Sequence, residues 1–350
     1  MTQVFSDDFV AGLPEMNRFE NPVVVRLCKD TMESNVRMRG AIERWFAKVP
    51  ENIQAGMLAR LRSQEDSEHL SAFFELALME HFETAGFVVD RAPILEDGTT
   101  PDMKLSLGGQ IVYVEVRTIA EEEKSRINRK RKNSALVQLD KISSKYILSI
   151  YFEKEPEEAI KPTQLRQSVA DWLSQASIPE GERLSEAFKA GGYEVEVTAN
   201  NRPEYGEGPG RVMFNSGPVG FLGTSLGLMY RGMKEKGKKY KNLQEGGKPY
   251  VVAICSTDLN YALEDLWMML ATYGSLLGEE NDGGYLNLSG EKPKHAGVSG
   301  LLHCKLLYDR ENFGFDINFF ENPSAVNPIP EEFQWKRKEK ETSDLSRENR

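Results

Sequence analysis

A chain of 350 residues with 40% hydrophobic and 28% charged residues has room for one large or two ordinary domains and the composition of a folding protein, which excludes collagen-like, low-complexity and wholly disordered chains. The net charge of −10 at first sight argues against a nucleic-acid partner, because phosphate binding depends on Lys and Arg, but the distribution of charge matters more than its sum. No apolar run reaches the roughly 20 residues of a membrane helix, and the three scattered cysteines, Cys28, Cys255 and Cys304, support neither a disulfide framework nor a zinc pair.

An acidic N-terminus without the basic and apolar regions of a signal peptide makes the cytoplasm the expected setting, with the thiols free and buried. Residues 1–66 read as a helical packing arm. Residues 23–49 carry apolar side chains at mixed three- and four-residue steps, and a second helix follows at 51–63. Ser67 is placed to cap the next helix, in which Leu70, Phe73, Phe74, Ala77, Leu78 and Phe82 make one buried stripe that ends at Gly86. Three strands are expected after it, at 87–90, 102–107 and 110–120, the last two joined at Gly108–Gly109. Alternation in the third puts Val112, Val114 and Val116 on one face and Tyr113, Glu115 and Arg117 on the other.

A charged stretch at 121–133 leads to a helix at 133–146, a strand at 147–153, a helix at 163–177 and strands at 191–199 and 210–216. A helix at 226–243 then runs into a strand at 249–257 whose nearly unbroken apolar character marks it as central. Beyond it come a helix at 259–274, a Gly- and Asn-rich loop at 278–292, a hairpin of strands at 298–309 and 313–322, and a charged tail from Lys336 expected to be disordered. The glycine-rich pieces at 206–225 and 283–291 lack the phosphate-loop pattern, and His69, His81, His295 and His303 lack zinc-site spacing. Two basic runs, Lys124 to Lys132 and Lys234 to Lys241, fit either solvated helix faces or phosphate contact.

Glu75, Asp102, Glu115 and Arg117 form a set suited to phosphodiester hydrolysis. Mg²⁺ takes hard oxygen ligands, one or two of them carboxylates, and the bound ion activates water and neutralises a leaving oxygen. A cation beside it stabilises charge on the phosphate. Pro101-Asp102, a twelve-residue gap and Glu115-Val116-Arg117 together resemble the PD-(D/E)XK motif of the restriction-endonuclease-like nucleases. Residues 73–87, FFELALMEHFETAGF, are similar to that family's first core helix, with its acidic residue at Glu75 and with Gly86-Phe87 opening the first strand. The family usually carries Lys where this chain has Arg117, and arginine stays protonated, so it cannot accept a proton. Some members place the missing cation on the following helix. Two helices compete for that role: a nearer one with Gln138, Lys141 and Lys145 on one face, and a farther one with Lys236-Gly-Lys-Lys-Tyr240, similar to a Q/K-xxx-Y pattern of the family. The farther is preferred because it runs straight into the apolar strand.

The resemblance implies an α/β, restriction-endonuclease-like mixed β-sheet core flanked by helices, with an N-terminal helical arm (1–66) and a large α+β insertion (121–222). The core and its C-terminal extension take 67–120 and 223–335, and 336–350 is the tail. It further implies a Mg²⁺- or Mn²⁺-dependent endonuclease acting on nucleic acid, DNA before RNA, in restriction or phage defence. In it Asp102 and Glu115 bind the metal, Glu75 does so directly or through water, Arg117 and Lys236 stabilise the phosphate, and Tyr240 orients the lysine or touches the backbone. The alternative is a catalytically degenerate member that binds nucleic acid or a protein partner without cutting. A third reading, a different enzyme using Tyr273, Asp282, Tyr285 or Asn322, stays open, as does self-association.

Overall fold

The structure, a computed structural model, describes residues 2–19, 21–119, 123–156, 160–206, 208–210, 212–214, 229, 231–236, 239, 243, 246–256, 295–308, 310–311, 313–322 and 324–333. The chain divides into two compact units: Met1–Leu13, Pro22–Ala120 and Leu222–Arg350 make the first, and Pro14–Asn21 with Glu121–Phe221 the second. Residues 14–21, read from sequence as part of the helical arm, thus belong to the second unit. The expected helix at 259–274, the loop at 278–292, the tail at 336–350 and residues Tyr240, Tyr273, Asp282 and Tyr285 lie outside the described residues. Among the described residues, no helix is long and apolar enough to cross a membrane.

The first unit is mixed α/β. Its helices are α1 (Asp7–Ala11), α2 (Val23–Lys29), α3 (Glu33–Phe46), α4 (Glu51–Leu61) and α5 (Asp66–Thr84). The expected single helix over 23–49 is two, broken at Asp30, whose extended backbone ends α2. Helix α5 begins one residue before Ser67, with Glu65 at the N-cap. It is also more deeply set than a one-stripe helix: every residue from Ala72 to Met79 is buried, because α2, α3 and α4 pack against it on one side and the sheet on the other. Each fully buried Phe or Leu here contributes about 1.5–3 kcal/mol relative to exposure, and the rings of Phe73 and Phe74 lie 5.4 Å apart.

Six strands form the sheet: β1 (Val88–Arg91), β2 (Met103–Leu107), β3 (Gln110–Thr118), β8 (Tyr250–Ser256), β9 (Gly300–Tyr308) and β10 (Phe313–Glu321), in that spatial order. The first three form an antiparallel meander. β8 joins β3 in parallel, β9 joins β8 in parallel, and β10 returns antiparallel to β9. β8 is buried along its whole length, which is why it reads as an apolar run rather than an alternation. Val251, Ala253 and Cys255 face the α5 side, and Tyr250, Val252 and Ile254 face the opposite side with Met229 and Met233. Cys255 and Cys304 sit side by side in register, free and buried, while Cys28 is half-buried. His69 is a core histidine whose Nδ1 lies 2.6 Å from the Leu61 carbonyl oxygen.

In the second unit a sheet of order β5-β6-β4-β7 is built from β4 (Tyr146–Phe152), β5 (Arg183–Ala190), β6 (Tyr193–Asn201) and β7 (Val212–Phe214), with α6 (Glu123–Leu139) and α7 (Pro162–Gln175). Leu136, Leu139, Leu148, Ile150, Leu165, Val169, Val195 and Val197 meet in its core. Two expectations fail here. Of the charged stretch at 121–133, residues 123–133 are not a lead-in but the first part of α6, and the helix stops at Leu139, so Gln138, Lys141 and Lys145 do not share a helical face. β5 was not anticipated, and its mostly exposed residues pair only with β6 at the sheet edge.

Candidate active site

Three carboxylates come from three neighbouring elements of the first unit. Glu75 lies in the buried middle of α5, where Arg60 of α4 grips it through both guanidinium nitrogens, at 2.6 and 2.7 Å, and Ser71 donates to it at 3.3 Å. A carboxylate at such a position is tolerable only with this counter-charge. Arg60→Met is therefore expected to lower the urea midpoint by the equivalent of about 1–3 kcal/mol, the low end for a buried pair because Arg60 is partly exposed. The double replacement Arg60→Met with Glu75→Leu should recover most of it.

Asp102 precedes β2. Its carbonyl accepts the Ala92 N–H at 3.0 Å, and its carboxylate Oδ2 accepts the Val116 N–H of β3 at 2.7 Å. Because Met103 pairs with Val114, Asp102 falls beside Glu115. Burial, reinforced by the charges of Glu115 and Glu75, pushes the Asp102 carboxyl up from 3.8 to about 7, against the pull of the Val116 N–H and the Lys236 ammonium. Glu115 itself is fully buried, in register with Val252 of β8. Its Oε1 accepts from Lys236 Nζ at 2.5 Å and from Lys239 Nζ at 2.8 Å.

The lysines arrive on the helical segment 231–236 and the turn after it. Met229 and Met233 anchor that segment in the core, and the Tyr250 hydroxyl donates to the Lys236 carbonyl at 2.9 Å. Gly232 permits the close approach, since a Cβ there would stand 3.1 Å from Arg117 Cγ and 3.2 Å from Ile119 Cδ1. Gly232→Leu should push the segment off β3 and cost about 1–3 kcal/mol, as overpacking does, read as a lowered melting temperature. Arg117 is half-exposed, and its guanidinium pairs with Glu235 at 3.1 Å rather than with Glu115.

Sequence reasoning named Glu75, Asp102, Glu115, Arg117 and Lys236, and these lie in one region of the first unit. It missed Arg60, Lys239 and Tyr250, whose roles depend on partners distant in sequence. Asn322 is accounted for structurally: its amide donates to the Val298 carbonyl at 2.7 Å.

Among the described residues, no group of three or more His, Cys, Asp or Glu is arranged to hold a metal ion, and Glu75 and Glu115 are engaged by cationic side chains. The donor chemistry nonetheless suits a divalent ion: these are hard oxygen donors, and burial, reinforced by Glu115 and Glu75 nearby, raises the Asp102 carboxyl. No protein-family model, curated protein or solved structure matches the chain.

Proposed function

We propose that this protein is a metal-dependent nuclease that hydrolyses phosphodiester bonds, DNA before RNA, on a restriction-endonuclease-like core. The observation that carries the reading is Asp102 beside Glu115, with the Asp102 carboxyl held near 7 by burial and by two neighbouring acids. Perturbed carboxylates of this kind concentrate at functional sites. The order of helix, three-strand meander, crossover and parallel strand supports it, since α5, β1, β2, β3 and β8 follow in that sequence.

In this reading Asp102 and Glu115 hold Mg²⁺ or Mn²⁺, and Glu75 contributes directly or through water. The bound ion supplies an activated water and neutralises the leaving oxygen. With Glu115 serving as a metal ligand, the Lys236 ammonium would be available to donate to a phosphate oxygen or to orient a water. Arg117 adds fixed positive charge beside the phosphate and accepts no proton.

One observation favours the binding-only alternative. Two ammonium groups already neutralise Glu115, and they compete with a metal for it. The test is incubation with plasmid DNA, single-stranded DNA and RNA, each with Mg²⁺, with Mn²⁺ and with EDTA. Cutting that EDTA abolishes is the expected result. Binding without cutting in every metal arm would move the assignment to the degenerate form.

A further inference from the structure

Arg60 brings a cation to the candidate site from the helical arm, on α4. Its guanidinium meets Glu75 as a fork, Nη1 on Oε1 at 2.6 Å and Nη2 on Oε2 at 2.7 Å, so each nitrogen holds its own oxygen. The fork is braced on both sides. Arg60 Nη2 lies 3.7 Å from the sulfur of Met57, a buried residue one turn earlier on α4, and the Ser71 hydroxyl, one turn before Glu75 on α5, donates to Oε1 at 3.3 Å. The lysine pair on Glu115 is built differently, with both ammonium groups ending on the single oxygen Oε1.

An ionised carboxylate has about four acceptor directions, two on each oxygen. Among the described residues, the bonds to Glu75 take both directions on Oε1 and one on Oε2. A cation chelated between the two oxygens would need the space that the fork fills. A divalent ion on the remaining direction of Oε2 would share one small group with the guanidinium, and repulsion between like charges grows as their separation shrinks. A water placed between ion and carboxylate lengthens that separation and still donates to Oε2. Mg²⁺ favours such an arrangement, since it takes one or two carboxylates and keeps several waters, and Asp102 and Glu115 already supply two. The fork also stands close to those acids: the charge of Asp102 acts on Arg60, and that of Glu75 acts on Asp102.

We infer that Arg60 is a positioning residue for the metal: its fork keeps Glu75 out of direct coordination and leaves that carboxylate to act through an intervening water. The inference rests on the metal-dependent reading of the site and decides between the two roles that reading allows Glu75.

The full chain would be titrated with Mn²⁺ alone at pH 8, free ion being read by its electron paramagnetic resonance signal and the waters on bound ion by water-proton relaxation. Arg60→Met should bind Mn²⁺ about tenfold more tightly than the parent, the lower end of the range over which groups behind metal ligands change affinity, and should show one coordinated water fewer. Arg60→Lys, whose ammonium is a point charge and no fork, should gain less, and it keeps a charge beside Glu75 where Arg60→Met fails to fold. In a Glu75→Gln background Arg60→Met should gain nothing, because the ligand it releases is gone. A residue that only braced the fold would, when replaced, weaken Mn²⁺ binding or leave it unmoved. Unchanged or weaker binding in both Arg60 variants, a gain that persists in the Glu75→Gln background, or no Mn²⁺ bound by any chain would overturn the inference. Tighter binding in Arg60→Met with no cutting by the parent in any metal arm would fail the nuclease reading alone, whereas metal-dependent cutting with Mn²⁺ affinity indifferent to Arg60 would fail the inference alone.

Discussion

Glu115→Gln is expected to lower metal-dependent cleavage by about a hundredfold to a thousandfold, the scale on which removing one group that stabilises transition-state charge acts. Gln keeps the size of the side chain in its fully buried place on β3, and the two lysines it releases are not fully buried, at 22% and 46% side-chain exposure, so they can hydrate. The fold should therefore survive, which circular dichroism would check. Companion variants identify the cation. Lys236→Ala should cost roughly a hundredfold, and Arg117→Ala much less, because Arg117 is tied to Glu235 rather than to the acids. Equal cleavage by Glu115→Gln and the parent chain would remove the site assignment. A larger loss from Arg117→Ala than from Lys236→Ala would return the role to the strand.

Without metal, stability should fall as pH rises from about 4 to about 7. Asp102 titrates near 3.8 when unfolded and near 7 when folded. In that interval the folded chain holds a proton that the unfolded chain has given up, and stability declines as the proton is lost. The full difference is up to about 4 kcal/mol, at roughly 1.4 kcal/mol per pH unit. Asp102→Asn retains an acceptor for the Val116 N–H and has no charge to bury, so its melting temperature in EDTA should exceed the parent's at pH 8 and converge with it near pH 4. Mg²⁺ should raise the parent's melting temperature at pH 8 far more than at pH 5, and should leave the Asn variant nearly unmoved. Parallel melting-temperature profiles for parent and variant from pH 4 to 8 would show that Asp102 carries no such charge penalty.

How much of this was visible in the sequence depends on where each residue's partner lies. Asp102 and Glu115 stand out because the strands carrying them are joined by the short turn at Gly108–Gly109 and pair at once. Glu75 was visible as a carboxylate amid apolar neighbours, but Arg60, which makes that tolerable, sits on another helix whose pattern does not mark it. Lys239 reaches Glu115 across 124 positions, and nothing local distinguishes it from a solvated lysine. The helical nature of 123–132 was hidden because charged residues there carry no apolar period, although Glu, Lys and Arg are good helix formers. β5 was hidden because an edge strand with both faces largely exposed has no alternation to read. α5 misled in the opposite sense, since an apolar run buried all round looks like a stripe with extra members.

The pairing of β3 with β8 brackets residues 119–249, and this fixes an order of events during synthesis. A chain that has emerged as far as Phe221 already holds Arg60, Glu75, Asp102 and Glu115, but neither Lys236 nor the strand that pairs with β3. At that stage Glu115 lacks both of its ammonium partners, and one edge of β3 lies open to any other strand. Closing so long a crossover adds little to its entropic cost, since each doubling of a loop costs only about 0.6 kcal/mol. The delay is therefore set by the ribosome more than by the polymer. Chains ending before residue 250 are accordingly expected to collect in aggregates rather than as active fragments, and the proposed site is not assembled until Lys236, Lys239 and β8 have left the ribosome.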